Sequence, residues 1–146
     1  MKVINEFRMT VESKSVIESF VRGTVAAFAA QLDPTLEEIA DIKTAVSEAV
    51  TNCIVHAYAH CVGKIYIYTA VSEDGTVKIK IRDKGCGIEN IKQARTPLIT
   101  TAGGERAGLG FAVMESFCDK VYVRSKLGAG TTVTLIKKTG GRAENG

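Results

Sequence analysis

Residues 64–81, KIYIYTAVSEDGTVKIKI, are two runs of strand-forming residues joined by Asp-Gly. Lys64 to Val71 is rich in Ile, Tyr and Val, and Val77, Ile79 and Ile81 alternate strictly with polar neighbours. Ser72-Glu73-Asp74-Gly75 supplies the turn, since Asp-Gly suits a tight antiparallel hairpin. Period-two alternation gathers the apolar side chains on one face, and that face needs a cover.

The cover is written upstream. From about Lys14 the period changes to that of a helix: Ile17, Phe20, Val21, Val25, Phe28 and Leu32 share a face up to about Gln31. Asp33 is suited to cap a second helix and Pro34 to open it, because proline lacks the N–H that would go unpaired there. This helix is expected from Pro34 to about Tyr58. Ahead of both, Phe7, Met9 and Val11 alternate as a first strand. Residues 88–107 have weak periodicity, include Pro97 and Thr-Thr-Ala-Gly-Gly, and read as a long loop with a short helical turn. Gly108-Leu109-Gly110 opens a third helix to about Phe117. Strands at Val121–Ser125 and Thr132–Ile136 follow, joined by Gly128-Ala129-Gly130. The tail from Thr139 is Gly-rich and polar and is expected to fray. The order is strand, helix, helix, hairpin, loop, helix, hairpin. It predicts an α+β two-layer sandwich: a mixed, mainly antiparallel sheet with helices on one face, in a single domain over residues 1–138.

Composition narrows the class. The chain has 146 residues, 45% hydrophobic and 24% charged, with a formal net charge of +3. That is one ordinary globular domain, with scattered rather than clustered cations, so nucleic acid is not indicated. No apolar run is long enough to span a membrane and no export signal opens the chain, which places it in the cytoplasm by expectation. Cys53, Cys61, Cys86 and Cys118 lack Cys-x-x-Cys spacing and, with His56 and His60, make no zinc pattern; they read as free thiols.

Three features carry chemistry. The first is SEAVTNCIVHAY, residues 47–58, where Glu48, Asn52 and His56 recur at intervals of four within an apolar helix. Burying such groups without partners costs about 2–7 kcal/mol each, so the stripe is expected to face a wet cleft. There an amide oxygen suits Mg²⁺, and a carboxylate suits a proton in transit. His56 is read as a cleft-wall residue. The second is Asp83-Lys84-Gly85-Cys86-Gly87 at a strand end. Its glycines let the backbone come close to a flat ligand, and Asp83 is an acceptor suited to an exocyclic amine. The third is Arg106-Ala107-Gly108-Leu109-Gly110, where a glycine-opened helix presents N–H groups to phosphate. Gly130-Thr131-Thr132 adds a threonine hydroxyl suited to a base edge. There is neither a GxGxxG after a strand nor a GxxxxGK[ST], so Rossmann and P-loop routes are closed.

In this order the boxes resemble the ATP-binding (Bergerat-type) fold shared by gyrase, Hsp90, histidine kinases and MutL. Within that superfamily, ESFVRGTVAAFAAQLDPTLEEI, SEAVTNCIVHAY, ARTPLITT and GLGFAVMESFCDKVYVRSKLGAGTTV resemble the small serine-protein kinases that double as anti-sigma factors, those acting on sigma-F in particular. The resemblance implies inhibition of a sigma-F-like sigma factor during sporulation, phosphorylation of a serine on an anti-anti-sigma protein with ATP and Mg²⁺, and a homodimer. Residue by residue, it makes Glu48 the general base and Asn52 the Mg²⁺ ligand. It gives Asp83 the adenine amine, with Gly85, Gly87 and Thr132 shaping that pocket. Gly108, Leu109 and Gly110 form the phosphate turn. Thr100, Thr101 and Arg106 lie in a lid over residues 88–107, with phosphate and partner contacts. Arg22 binds the partner. The stretch TAGGER, residues 101–106, is shorter and richer in glycine than the family pattern. A sigma-B-type stress regulator and an ATP-gated sigma-binding module with negligible kinase activity share the same motifs and remain the alternatives.

Overall fold

The structure, a computed structural model, describes residues 2–85, 110–126 and 128–140. Gly87, Thr100, Thr101, Arg106, Gly108 and Leu109, together with Cys86, the expected lid and the end of the tail, lie outside the described residues.

Strand β1 (Val3–Glu12) leads into helix α1 (Ile17–Ala29), a 3₁₀ turn (Ala30–Leu32) and helix α2 (Leu36–Asn52), whose axis continues as a π turn (Cys53–Ala57). The hairpin β2 (Lys64–Ser72) and β3 (Thr76–Asp83) follows. Helix α3 (Phe111–Phe117) and the hairpin β4 (Lys120–Lys126) and β5 (Gly130–Lys138) complete the described chain. The sheet runs β1-β2-β3-β5-β4, and among the described residues all four pairings are antiparallel, with none of the parallel pairing that a mixed sheet would have.

Alternation in the strands decides which face the helices cover. Ile65, Ile67 and Val71 of β2, Val77, Ile79 and Ile81 of β3, and Val133 and Leu135 of β5 are all buried. They meet Val21 and Val25 of α1, Ile42, Val46 and Val50 of α2, and Met114 of α3. At about 25 cal/mol per Å² of apolar surface removed from water, this layer is the main source of stability. Phe28 of α1 closes one edge, its ring 4.7 Å from that of Phe7 at 66°. Lys137 of β5 pairs with Asp41 of α2 at 2.8 Å, tying the helical layer to the sheet by a half-buried contact. The opposite face carries Arg8, Tyr66, Tyr68, Lys80, Arg82 and Tyr122 and has no helix over it among the described residues.

Several local expectations shift. Phe20, placed on the buried face of α1 by periodicity, is 55% exposed. Asp33 does not cap α2: it takes a left-handed conformation (φ 54°) that closes the 3₁₀ turn. The cap is Thr35, whose hydroxyl accepts from Glu38 N–H at 3.0 Å while Glu38 Oε1 accepts from Thr35 N–H at 2.8 Å. Two bonds on one pair of residues outcompete a lone Asp-Pro start, and Leu36 rather than Pro34 is the first helical residue. Thr139 does not fray either. Its N–H and its hydroxyl both donate to the Gly75 carbonyl, at 2.9 and 2.7 Å, fastening the end of β5 to the β2–β3 turn.

Replacing Thr35 by Ala removes the side-chain half of the cap and is expected to cost about 1 kcal/mol. Urea unfolding checks it: the midpoint should fall with the slope unchanged.

Candidate nucleotide site and its relatives

Helix α2 brings the first box to the site. Glu48 and Asn52, one turn apart, are both half-buried, flanked by the fully buried Val46, Ala49 and Val50. The stripe does not run straight on to His56. The Tyr58 N–H bonds to the Cys53 carbonyl five residues back at 2.9 Å, so residues five apart, not four, come into line. His56 lies exposed on this turn.

Helix α3 begins against Glu48. Gly110, its N-cap, has φ 70°, and a Cβ there would strike the Glu48 carboxylate. A side-chain-bearing residue would be disfavoured twice, by backbone conformation and by this contact. The first and third boxes, more than fifty positions apart, thus meet at one point. Glu48 also lines a groove between α1 and α2, together with Ser19, Arg22, Lys43, Thr44 and Ser47. Arg22 Nε lies 3.4 Å from Glu18 Oε2, one turn back on the same helix, which holds the guanidinium at the groove.

The second box sits at the end of β3. Asp83 is only 4% exposed, and its Oδ1 accepts from the N–H groups of Gly85 (3.1 Å) and Thr131 (3.2 Å). Burial pushes the carboxyl up from the ordinary carboxylate range, and these two amides pull it back. The Cys53 thiol lies 3.9 Å from Oδ2, a soft contact that leaves this oxygen strong acceptor capacity. Burial and the Asp83 charge push that thiol far up, so it stays protonated. Backbone closes in on both sides of the carboxylate. A Cβ on Gly85 would strike the Ala57 carbonyl, and one on Gly130 (φ 95°) would strike the Asp83 carbonyl.

Thr132 does not join this cluster. It stands between Arg82 and Arg124 on the uncovered face of the sheet. Thr131 takes the place next to Asp83, with its hydroxyl 2.9 Å from that of Ser125. Tyr58, the last residue of SEAVTNCIVHAY, to which the sequence reading gives no role, also belongs here: its hydroxyl donates to the Lys64 carbonyl and accepts from the Lys84 N–H, both at 2.7 Å.

These donor sets fit the groups that the resemblance implies. A buried, acceptor-only carboxylate between closely approaching backbones suits the amine edge of a flat base. The Asn52 amide oxygen, half-exposed on the helix, is the kind of hard oxygen donor that Mg²⁺ takes alongside phosphate and water, and the Glu48 carboxylate one turn away suits a proton in transit.

Replacing Gly110 by Ala forces a β-carbon into the Glu48 carboxylate at a left-handed position. It should destabilise by about 1–2 kcal/mol, seen as a thermal midpoint a few degrees lower in calorimetry.

Residues 12–137 match the histidine kinase-like ATPase domain family. The anti-sigma F factor of Geobacillus thermodenitrificans is 52% identical over 134 residues, 91% of this chain and 92% of that protein. That of Caldanaerobacter subterraneus is 52% identical over 141 residues, 96% and 98% of the two. Among solved structures, the RsbU and RsbW domains of a Mycobacterium tuberculosis protein superpose with a TM-score of 0.67 at 26% identity, covering 92% of this chain and 32% of that one. The histidine kinase domain of a blue-light activated kinase from Erythrobacter litoralis shares the fold at a TM-score of 0.55 and 18% identity, over 87% and 63%. With both layers of the sandwich, the Glu48–Asn52 stripe and the Asp83 turn in place, the chain belongs to the histidine kinase-like ATPase domain family, within its group of anti-sigma F factors.

Proposed function

We propose that this chain is an ATP-dependent serine-protein kinase that also binds and inhibits a sigma factor of the sigma-F type in the cytoplasm of a sporulating cell. The observation that carries the reading is the position of Glu48, between the start of α3 and the groove that holds Arg22. A base serving protein phosphorylation must face the nucleotide phosphates on one side and an approaching hydroxyl on the other, and Glu48 has both openings.

In this reading Asp83 Oδ2 accepts from the exocyclic amine of adenine, and the close backbones at Gly85 and Gly130 form the walls of the base pocket. Asn52 would hold Mg²⁺, which would offset the charge on the phosphates of ATP, the donor of the phosphoryl group. The Glu48 carboxylate takes the serine hydroxyl proton as the serine oxygen bonds to the γ-phosphorus and the bond to the departing ADP breaks. Orientation and charge neutralisation do most of the work in such a transfer. Gly87, Gly108 and Leu109, with Thr100, Thr101 and Arg106 of the lid, complete the phosphate and partner contacts on family likeness. The serine belongs to an anti-anti-sigma protein. Arg22 and the α1–α2 groove dock it, and the same arginine serves the sigma factor. A homodimer belongs to the same reading. Relatives at 52% identity are named anti-sigma F factors, against 26% for the RsbW-containing structure, which supports a sigma-F over a sigma-B type of partner.

Glu48→Gln is isosteric and should keep nucleotide binding while lowering transfer at least 100-fold, the order attributed to general-base catalysis, about 10²–10⁴-fold. Label from γ-labelled ATP on the partner's serine checks this. Retained binding with no transfer even by the wild-type chain would leave a nucleotide-gated binding module instead. Arg22→Ala favours the helix and should leave the ATP Kd unchanged. It should weaken the sigma-factor and anti-anti-sigma complexes by about tenfold or more, the scale of an interface arginine, as titration calorimetry would show.

A further inference from the structure

We infer that Tyr58 is a positioning residue for the nucleotide base, holding the Asp83–Gly85 turn in its binding shape through one hydroxyl. The inference rests on the nucleotide reading and goes beyond it, since Tyr58, the last residue of SEAVTNCIVHAY, has no role in that reading.

A regular α-helix ends or continues with 3.6 residues per turn. The π turn Cys53–Ala57 inserts extra length at the end of α2, and two contacts follow from it. The Ala57 carbonyl comes to rest where a Cβ on Gly85 would sit, and Tyr58 turns inward until it is 8% exposed. The Tyr58 hydroxyl then joins two segments: it donates to the carbonyl of Lys64 at the start of β2, and accepts from the N–H of Lys84, immediately after Asp83. A further element fixes the ring from behind. A Cβ on Gly63 would overlap the ring carbons of Tyr58, and Gly63 is itself pinned to Ser13, its carbonyl accepting from Ser13 N–H at 2.8 Å and its N–H donating to the Ser13 hydroxyl at 2.9 Å.

The Lys84 amide lies between the Asp83 carboxylate and the Gly85 amide that bonds to it. Without the Tyr58 hydroxyl the turn keeps its Asp83–Gly85 bond and loses the bond that orients the peptide plane between them. The free chain then samples turns in which Oδ2 points elsewhere, and only a fraction of molecules is ready to bind a base; apparent affinity falls by that fraction. The hydroxyl donates to one backbone group, at Lys64, and accepts from another, at Lys84, so its removal leaves the Glu48 and Asn52 side chains of the transfer chemistry in place.

The test uses the full chain. Tyr58→Phe keeps the buried ring and deletes the hydroxyl; Gly63→Ala keeps the hydroxyl and displaces the ring. Calorimetric titration with MgATP should give a Kd raised about 5- to 30-fold for each. The double variant should be no worse than the weaker-binding single one, because both act on the same bond. Transfer at saturating ATP should stay within about twofold of wild type, with the loss confined to KM. Amide exchange in the absence of nucleotide should quicken at Lys84 and Gly85 ahead of the core strands. An unchanged Kd with unchanged exchange at Lys84 overturns the inference and leaves the nucleotide reading intact. Equal losses in kcat and in global stability also overturn it, since they mark a general packing role. Failure of the wild-type chain to bind ATP overturns the nucleotide reading, and this inference with it.

Discussion

A carboxylate that is 4% exposed at the end of a strand must be held by donors, and Asp83 has two backbone amides on a single oxygen. One comes from its own turn and the other from β5, so the geometry of the acid depends on the β3–β5 pairing being in register. A shift of one residue would turn Asp83 to the uncovered face and break the bond from Thr131. The hydrophobic layer between helices and sheet fixes that register, because Ile79, Ile81, Val133 and Leu135 have to face the same way. Core packing and the setting of the Asp83 carboxylate are therefore one constraint, set by the pleat.

Helix α2 plays a comparable part on the opposite layer. Its buried side, through Ile42, Val46 and Val50, locks it onto the sheet, and its remaining surface carries Glu48 and Asn52. At one end a reciprocal cap starts it and at the other a π turn finishes it. Between the two, Glu48 becomes the neighbour of Gly110, the cap of α3, and lines a groove with Arg22 of α1, so the described groups beside it stand on helices or cap them. Active-site side chains on rigid elements hold their geometry better than those on loops.

The layer architecture was legible because alternation in β2 and β3 and the spacing in α1 and α2 both name one buried face, and the two agree. Local chemistry was less so. Asp33-Pro34 looked like a helix start, yet Thr35-x-x-Glu38 held the stronger signal in plain sight. Choosing Thr132 over Thr131 contradicted the alternation of Val133 and Leu135, which by parity already put Thr132 on the outer face. The π turn is a different matter. Its i, i+5 bonding breaks the period from which a helical stripe is read, so Glu48 and Asn52 could be aligned and His56 could not. Tyr58 was hidden for the same reason, being brought to the Asp83 turn by a local geometry that no residue pattern announces.

Thr139 is clasped to the Gly75 carbonyl, and the Lys2 carbonyl accepts from Glu73 N–H at 2.9 Å in the same hairpin turn. Both extremities of the sheet's strand path therefore leave from one pole of the domain. Asp83 occupies the other pole, the full length of β3 away, about 24 Å at 3.4 Å per residue. A label on the exposed Lys2 or Glu73 would therefore sit about one strand length from Asp83, which makes this pole the natural place to immobilise the protein while leaving the proposed base site open.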